Sequence, residues 1–119
     1  MKAIRLLNDV LGNSYFELGT LPEYHKIEVT YFNIQTKIEP WQQEQHTAPR
    51  EQFVVTLKGK LEFTTSEGNS FIIEPGIILI AKDIEGEGHS WKIIEGDKWE
   101  RIYIVPTQND LDYFVKDTI

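Results

Sequence analysis

Three side chains in this sequence carry most of its capacity for chemistry: His46, Gln52 and His89. The chain has three histidines and no cysteine. Disulfides, zinc–thiolate sites and thiol nucleophiles are therefore excluded, and a transition metal would have to be held by His, Asp, Glu, Gln, Tyr or water. Imidazole titrates near neutral pH, so the same histidines can move protons without any metal. His46 opens the run HTAPREQFVVTLKG, where Pro49 breaks any helix and Phe53 to Leu57 is β-branched and apolar. The third histidine, His25, follows the turn residues Pro22 and Glu23 and is expected on the surface.

The elements that must position these residues are short strands. Turn signals recur at Gly12-Asn13, Leu21-Pro22-Glu23, Glu39-Pro40, Lys58-Gly59-Lys60, Ser66-Glu67-Gly68-Asn69, Pro75-Gly76, Glu85 to Gly88, Glu95-Gly96-Asp97 and Pro106. Between them the sequence predicts strands over 3–7, 14–19, 26–36, 38–46, 52–58, 60–65, 70–74, 77–82, 89–94 and 99–105, an all-β pattern. In 26–32, Ile27, Val29 and Tyr31 alternate with Lys26, Glu28 and Thr30. In 60–64, Leu61 and Phe63 alternate with Lys60, Glu62 and Thr64. Two segments break alternation, Phe53 to Leu57 and Ile77 to Ala81. Both of their faces need covering, and a second subunit is one way to do it, which is the argument for a homodimer. Thr107 to Asp110 reads as a capping box ahead of Leu111, Phe114 and Val115, so a short C-terminal helix or a packed tail is expected.

The 119 residues suit one domain, 1–119, and 40% hydrophobic content suffices for one core. Twelve basic against 19 acidic residues give a net charge of −7. No Lys/Arg cluster is present, so nucleic acid and anionic membrane surfaces are not expected partners. The N-terminal residues do not read as a signal peptide, no apolar run reaches the ~20 residues of a membrane span, and a soluble cytoplasmic protein is expected.

The motif spacing resembles the cupin superfamily. Counting back from Gly59, six residues precede it, then Gln52 stands at the acidic-ligand position. Ala48 stands where a second histidine would be, and His46 at the first. A second motif follows in order: Gly68, Pro75-Gly76, then His89, with Ile93 where an asparagine is usual and a longer acidic stretch, Asp83 to Gly88, in between. The resemblance covers about residues 38 to 105. It implies a double-stranded β-helix (jelly-roll barrel) with a pocket inside, and is similar to a subgroup of small cupins with an incomplete metal-ligand set. The implied ligands are His46, Gln52 and His89, for a divalent ion such as Zn, Fe, Ni, Cu or Mn.

Strand alternation adds the expected pocket lining. Val54 and Thr56 share the face of Gln52, and Trp91 that of His89. Trp41 and Trp99 are expected in barrel-end or interface packing. Arg50 can meet a substrate carboxylate or pair with Glu44, Glu51 or a neighbouring acidic loop, and the salt bridge is the favoured reading. The acidic stretch from Asp83 to Glu87 lacks calcium-loop spacing and is expected as a solvated lip over the pocket, with Gly86 and Gly88 allowing motion. Three functions stay open: a metal-dependent enzyme, a non-catalytic small-molecule binder, and a structural dimer. A metal-free sugar isomerase- or epimerase-like variant would use His46 or His89 as base and Tyr103 or Tyr31 as acid.

Overall fold

Val, Ile, Thr and aromatic side chains stand well on a pleated surface, and they dominate the eight strands of the computed structural model, which describes residues 1–108 and 111–118. These strands are β1 (Lys2–Asn8), β2 (Ser14–Thr20), β3 (Val29–Gln35), β4 (Gln52–Thr65), β5 (Ser70–Ile73), β6 (Ile78–Ala81), β7 (His89–Pro106) and β8 (Val115–Lys116). One short helix, α1 (Pro40–Gln43), precedes β4. The strands form a single sheet in the order β3-β7-β4-β6-β1-β2-β8, with β5 paired to β4, curled into a half-barrel. The sheet is mixed: β1 and β6 run parallel, and the other pairs are antiparallel. Among the described residues no helix is long and apolar enough to cross a membrane.

Several boundaries differ from the sequence expectation, each for a local reason. Residues 52–58 and 60–65 are one strand, as are 89–94 and 99–105. The expected turn at Gly59 is an irregularity inside β4, where the register against β7 shifts between Thr56 and Leu61. Gly59 has φ +115, and a Cβ there would meet the Lys98 carbonyl at 2.4 Å, so the strands bend together without parting. The expected strand 38–46 is replaced by α1. Pro40, read as a turn residue, sits at the first helical position, and the Glu39 N–H donates to Gln42 Oε1 (2.8 Å). Residues 26–28 lie outside β3, and Val29 and Tyr31 are exposed on this edge strand, where the register shifts between them.

The interior follows the alternation. Leu61 and Phe63 are fully buried, as their period implies, and join Ile4, Leu6, Val54, Ile73, Leu79, Trp91 and Trp99 in the main core. The opposite apolar face, Phe53 and Ile80, is covered by the chain itself. Ala3 is buried with them, and Leu21, Ile27, Ile78, Ile104 and Phe114 pack against the group. A second subunit is not needed to bury these side chains, so that argument for a dimer falls away.

Phe114 reaches that face because the C-terminal segment is a strap and not a helix. Tyr113 takes φ +59, a left-handed backbone that a right-handed helical turn cannot hold, and Asp112 Oδ1 accepts the Phe114 N–H at 2.9 Å. Val115 and Lys116 then pair with Thr20 and Gly19 as β8. Asn109 and Asp110 of the expected capping box lie outside the described residues.

Candidate functional site

The backbone brings the two histidines together before their side chains do. His46 lies in no strand, but it and His89 exchange both backbone hydrogen bonds, each N–H donating to the other's carbonyl at 2.8 Å. The residue before His89 makes this possible. Gly88 has φ +73, and a Cβ there would sit 2.1 Å from the His46 carbonyl oxygen. Gly86 likewise presses on Gly12. These glycines serve close approach, where the sequence suggested motion.

The rings sit 4.7 Å apart, centroid to centroid. Each has its Nδ1 beside a fixed acceptor. His46 Nδ1 lies 2.7 Å from the Glu44 carbonyl, and His89 Nδ1 lies 2.5 Å from Asp83 Oδ2. A carbonyl oxygen can only accept, so His46 carries its proton on Nδ1, and the carboxylate selects the same tautomer at His89. Nε2 of each ring is left free. Burial lowers the His46 pKa, and the neighbouring His89 lowers it further. The Glu44 carbonyl and Asp83 oppose this without reversing it. Nε2 of His46 therefore stays unprotonated to lower pH than in an exposed histidine.

Both rings line a cavity of about 490 Å³ at one end of the half-barrel. The same wall carries Gln52, Val54, Trp91, Tyr103 and Arg50. Gln52 is 7% exposed, and its amide makes no hydrogen bond to a described residue. Ala48, in the position of the missing histidine, also lines the cavity, and its N–H donates to the Asp83 carbonyl (3.1 Å). Thr56 does not reach the cavity. It is buried, with its hydroxyl accepting from Trp99 Nε1 at 3.1 Å. Trp99, expected at a barrel end or interface, is core and cavity wall. Trp41 stands half exposed at the rim, edge-on to His46. Tyr31 is outside the cavity, with the Arg50 guanidinium over its ring. Arg50 makes no ion pair with a described residue, so the salt bridge favoured from the sequence is absent. His25 is exposed and stacks on Tyr113.

Asp83 is the residue that the sequence reading misplaced. The sequence places it in a solvated lip, yet it is fully buried, it holds His89, and its Oδ1 has no hydrogen-bond partner among the described residues. The rest of that loop does not overhang the cavity. It is fastened to the β1–β2 turn, where Asn8 Nδ2 donates to the Glu85 carbonyl (2.7 Å) and the Glu87 N–H to the Gly12 carbonyl (2.9 Å). Nothing in the local sequence distinguishes Asp83 from the acidic residues after it.

Among the described residues, no group of three or more His, Cys, Asp or Glu side chains is arranged to hold a metal ion. The set at this site is two imidazoles and a neutral amide. No family model matches the chain, and neither the curated proteins nor the solved structures compared with it include a match.

Proposed function

We propose that this chain is a cupin-type barrel that binds a small organic molecule in the cavity, with His46 and His89 as ligands for a divalent transition metal and Gln52 as a third, weaker donor. The single observation that carries this reading is the commitment of both Nδ1 atoms to fixed acceptors, which leaves two Nε2 atoms beside one cavity. A buried carboxylate behind one of them is the usual outer partner of a ligating histidine. The donor set fits an ion of the imidazole-preferring kind, Zn, Fe, Ni or Cu, more than Mn, and fits it weakly, because Ala48 replaces a ligand and the amide is uncharged. A bound ion would supply Lewis acidity at the polar end of the cavity. The chain's own residues would orient the guest: Trp91 and Val54 as apolar wall, Tyr103 as hydroxyl donor.

Metal content per chain, measured by elemental mass spectrometry on tag-free protein purified without chelator or nickel resin, tests this. Close to one ion per chain is expected, falling to background in His46→Ala. No metal in either protein, even after incubation with each ion, would overturn it. A metal-free acid–base reading is favoured by one observation: the His89–Asp83 pair is the arrangement of an oriented general base, and Tyr103 shares its cavity.

We further propose that the chain works as a cytoplasmic homodimer. Its contact would use the β3 edge, where Phe32 and Ile34 are 62% and 66% exposed on the last strand of the sheet. Light scattering should give twice the 13.9 kDa chain mass, and Phe32→Lys should return it to one. A monomeric mass for the unaltered chain would end that part of the reading.

A further inference from the structure

Trp99, Arg101 and Tyr103 alternate on β7, so all three point to the inside of the half-barrel. Arg101 is 0% exposed. Burying a guanidinium is costly unless an anion compensates it. Here every hydrogen-bond partner among the described residues is neutral. Nε donates to the Tyr103 hydroxyl (3.1 Å), Nη1 to the Trp99 carbonyl (3.0 Å), and Nη2 to Gln35 Oε1 (3.3 Å) and weakly to Gln42 Oε1 (3.5 Å). The Trp99 ring lies under the guanidinium at 4.5 Å.

Arginine has donors only, and this fixes the groups around it. Gln42 must turn its carbonyl to Arg101 and to the Glu39 N–H, which leaves its NH₂ without a partner among the described residues, on a side chain that lines the cavity and is 9% exposed. Tyr103 accepts from Arg101, so its own O–H is left to donate into the same space. Arg50 stands on the cavity wall without an ion pair to a described residue. Of the carboxylates on this side, Glu39 pairs with Lys37 (3.2 Å), and Asp83, hydrogen-bonded to His89, is not part of the cavity lining. In a chain of net charge −7, this end of the cavity is donor-rich and cationic.

We propose that the cavity takes a small organic carboxylate, whose anionic end is bound by the Gln42 NH₂ and the Tyr103 hydroxyl in the field of the buried Arg101, with Arg50 at the mouth. This deepens the reading above, since it rests on the cavity being a ligand pocket, but it uses neither the imidazoles nor a metal. Charge-assisted hydrogen bonds to a carboxylate are about twice as strong as those to a neutral amide, which makes charge the discriminating property.

The test is ligand-observed NMR titration of acetate, succinate and benzoate, each beside its neutral amide, on as-purified and on chelator-treated protein. At least one carboxylate should bind at least about tenfold more tightly than its amide in both preparations. Gln42→Glu places an internal counter-anion beside Arg101. It should raise the melting temperature of the free protein, cut carboxylate affinity at least about tenfold, and leave metal content unchanged. Tyr103→Phe, which removes only the hydroxyl, should weaken the same carboxylate several-fold and serves if Gln42→Glu does not fold. No preference for any carboxylate over its amide, or a preference lost on chelator treatment, would overturn the proposal. Metal content is read on the same samples, so a carboxylate preference without metal would sink only the metal reading.

Discussion

Asp112→Ala is expected to destabilise the protein by about 2–4 kcal/mol, the cost of removing one partner from a buried charge group. Asp112 is 5% exposed, and its Oδ2 meets both Lys82 Nζ (3.0 Å) and Arg5 Nη1 (3.2 Å). Arg5 also holds Glu17 (2.8 Å), which pairs in turn with Lys116 of β8 (3.2 Å). The group ties the C-terminal strap to β1 and β2, and the strap brings Phe114 over Ala3, Phe53 and Ile80. Removing Asp112 takes from Lys82 its ion pair and from Arg5 one of two carboxylates, and it loosens the apolar lid as well. Burial pushes the Asp112 carboxyl up from its ordinary 3.8, but the Phe114 N–H, Lys82 and Arg5 outweigh burial and hold it below that value. Glu17 is likewise pushed up by burial and pulled below 4.5 by Arg5 and Lys116. With folded values depressed, the unfolded chain binds protons first. The stabilisation is therefore full above about pH 4.5–5 and is lost as pH falls through the folded values. Urea denaturation at pH 7 and pH 3 should show this loss, and a smaller one in Asp112→Ala. An equal loss in both proteins would place the acid sensitivity elsewhere.

Strand content was legible in the sequence because alternation is a local property. Leu61 and Phe63 against Lys60, Glu62 and Thr64 needed no knowledge of partners. The doubly apolar segments were legible as needing two covers, but the second cover came from Ala3, Leu21, Ile27 and Phe114, distant in sequence, and no periodicity announces that. Helix α1 was missed because four residues carry too little pattern, and Pro40 signals a turn and a helix start equally well. The positions of His46, Gln52 and His89 were readable from motif spacing. The residues that set their chemistry were not: Asp83 looks like its exposed neighbours, and Gln42 and Arg101 acquire meaning only from each other. A buried cation with neutral partners is a property of the fold, invisible until β7 and α1 are brought side by side.

Asp83→Asn should separate the site from the fold. Asparagine keeps an oxygen that can accept from His89 Nδ1–H, so the ring orientation and tautomer survive, while the charge is lost. Asp83 is fully buried with one oxygen unpartnered among the described residues, and a carboxylate in that state burdens the free protein. The variant is therefore expected to melt at the same temperature or higher in the absence of metal. If His89 ligates as proposed, affinity for a divalent transition ion should fall about 10- to 100-fold, because a carboxylate behind a ligating imidazole raises its basicity. Zn²⁺ competition against a chromophoric chelator, run beside thermal melts of metal-free protein, measures both. A loss of stability with unchanged Zn²⁺ affinity would assign Asp83 to holding the loop at 83–88 in place and remove it from the metal site. Higher stability with weaker binding would show a buried charge kept for what it does to His89, at the expense of the free fold.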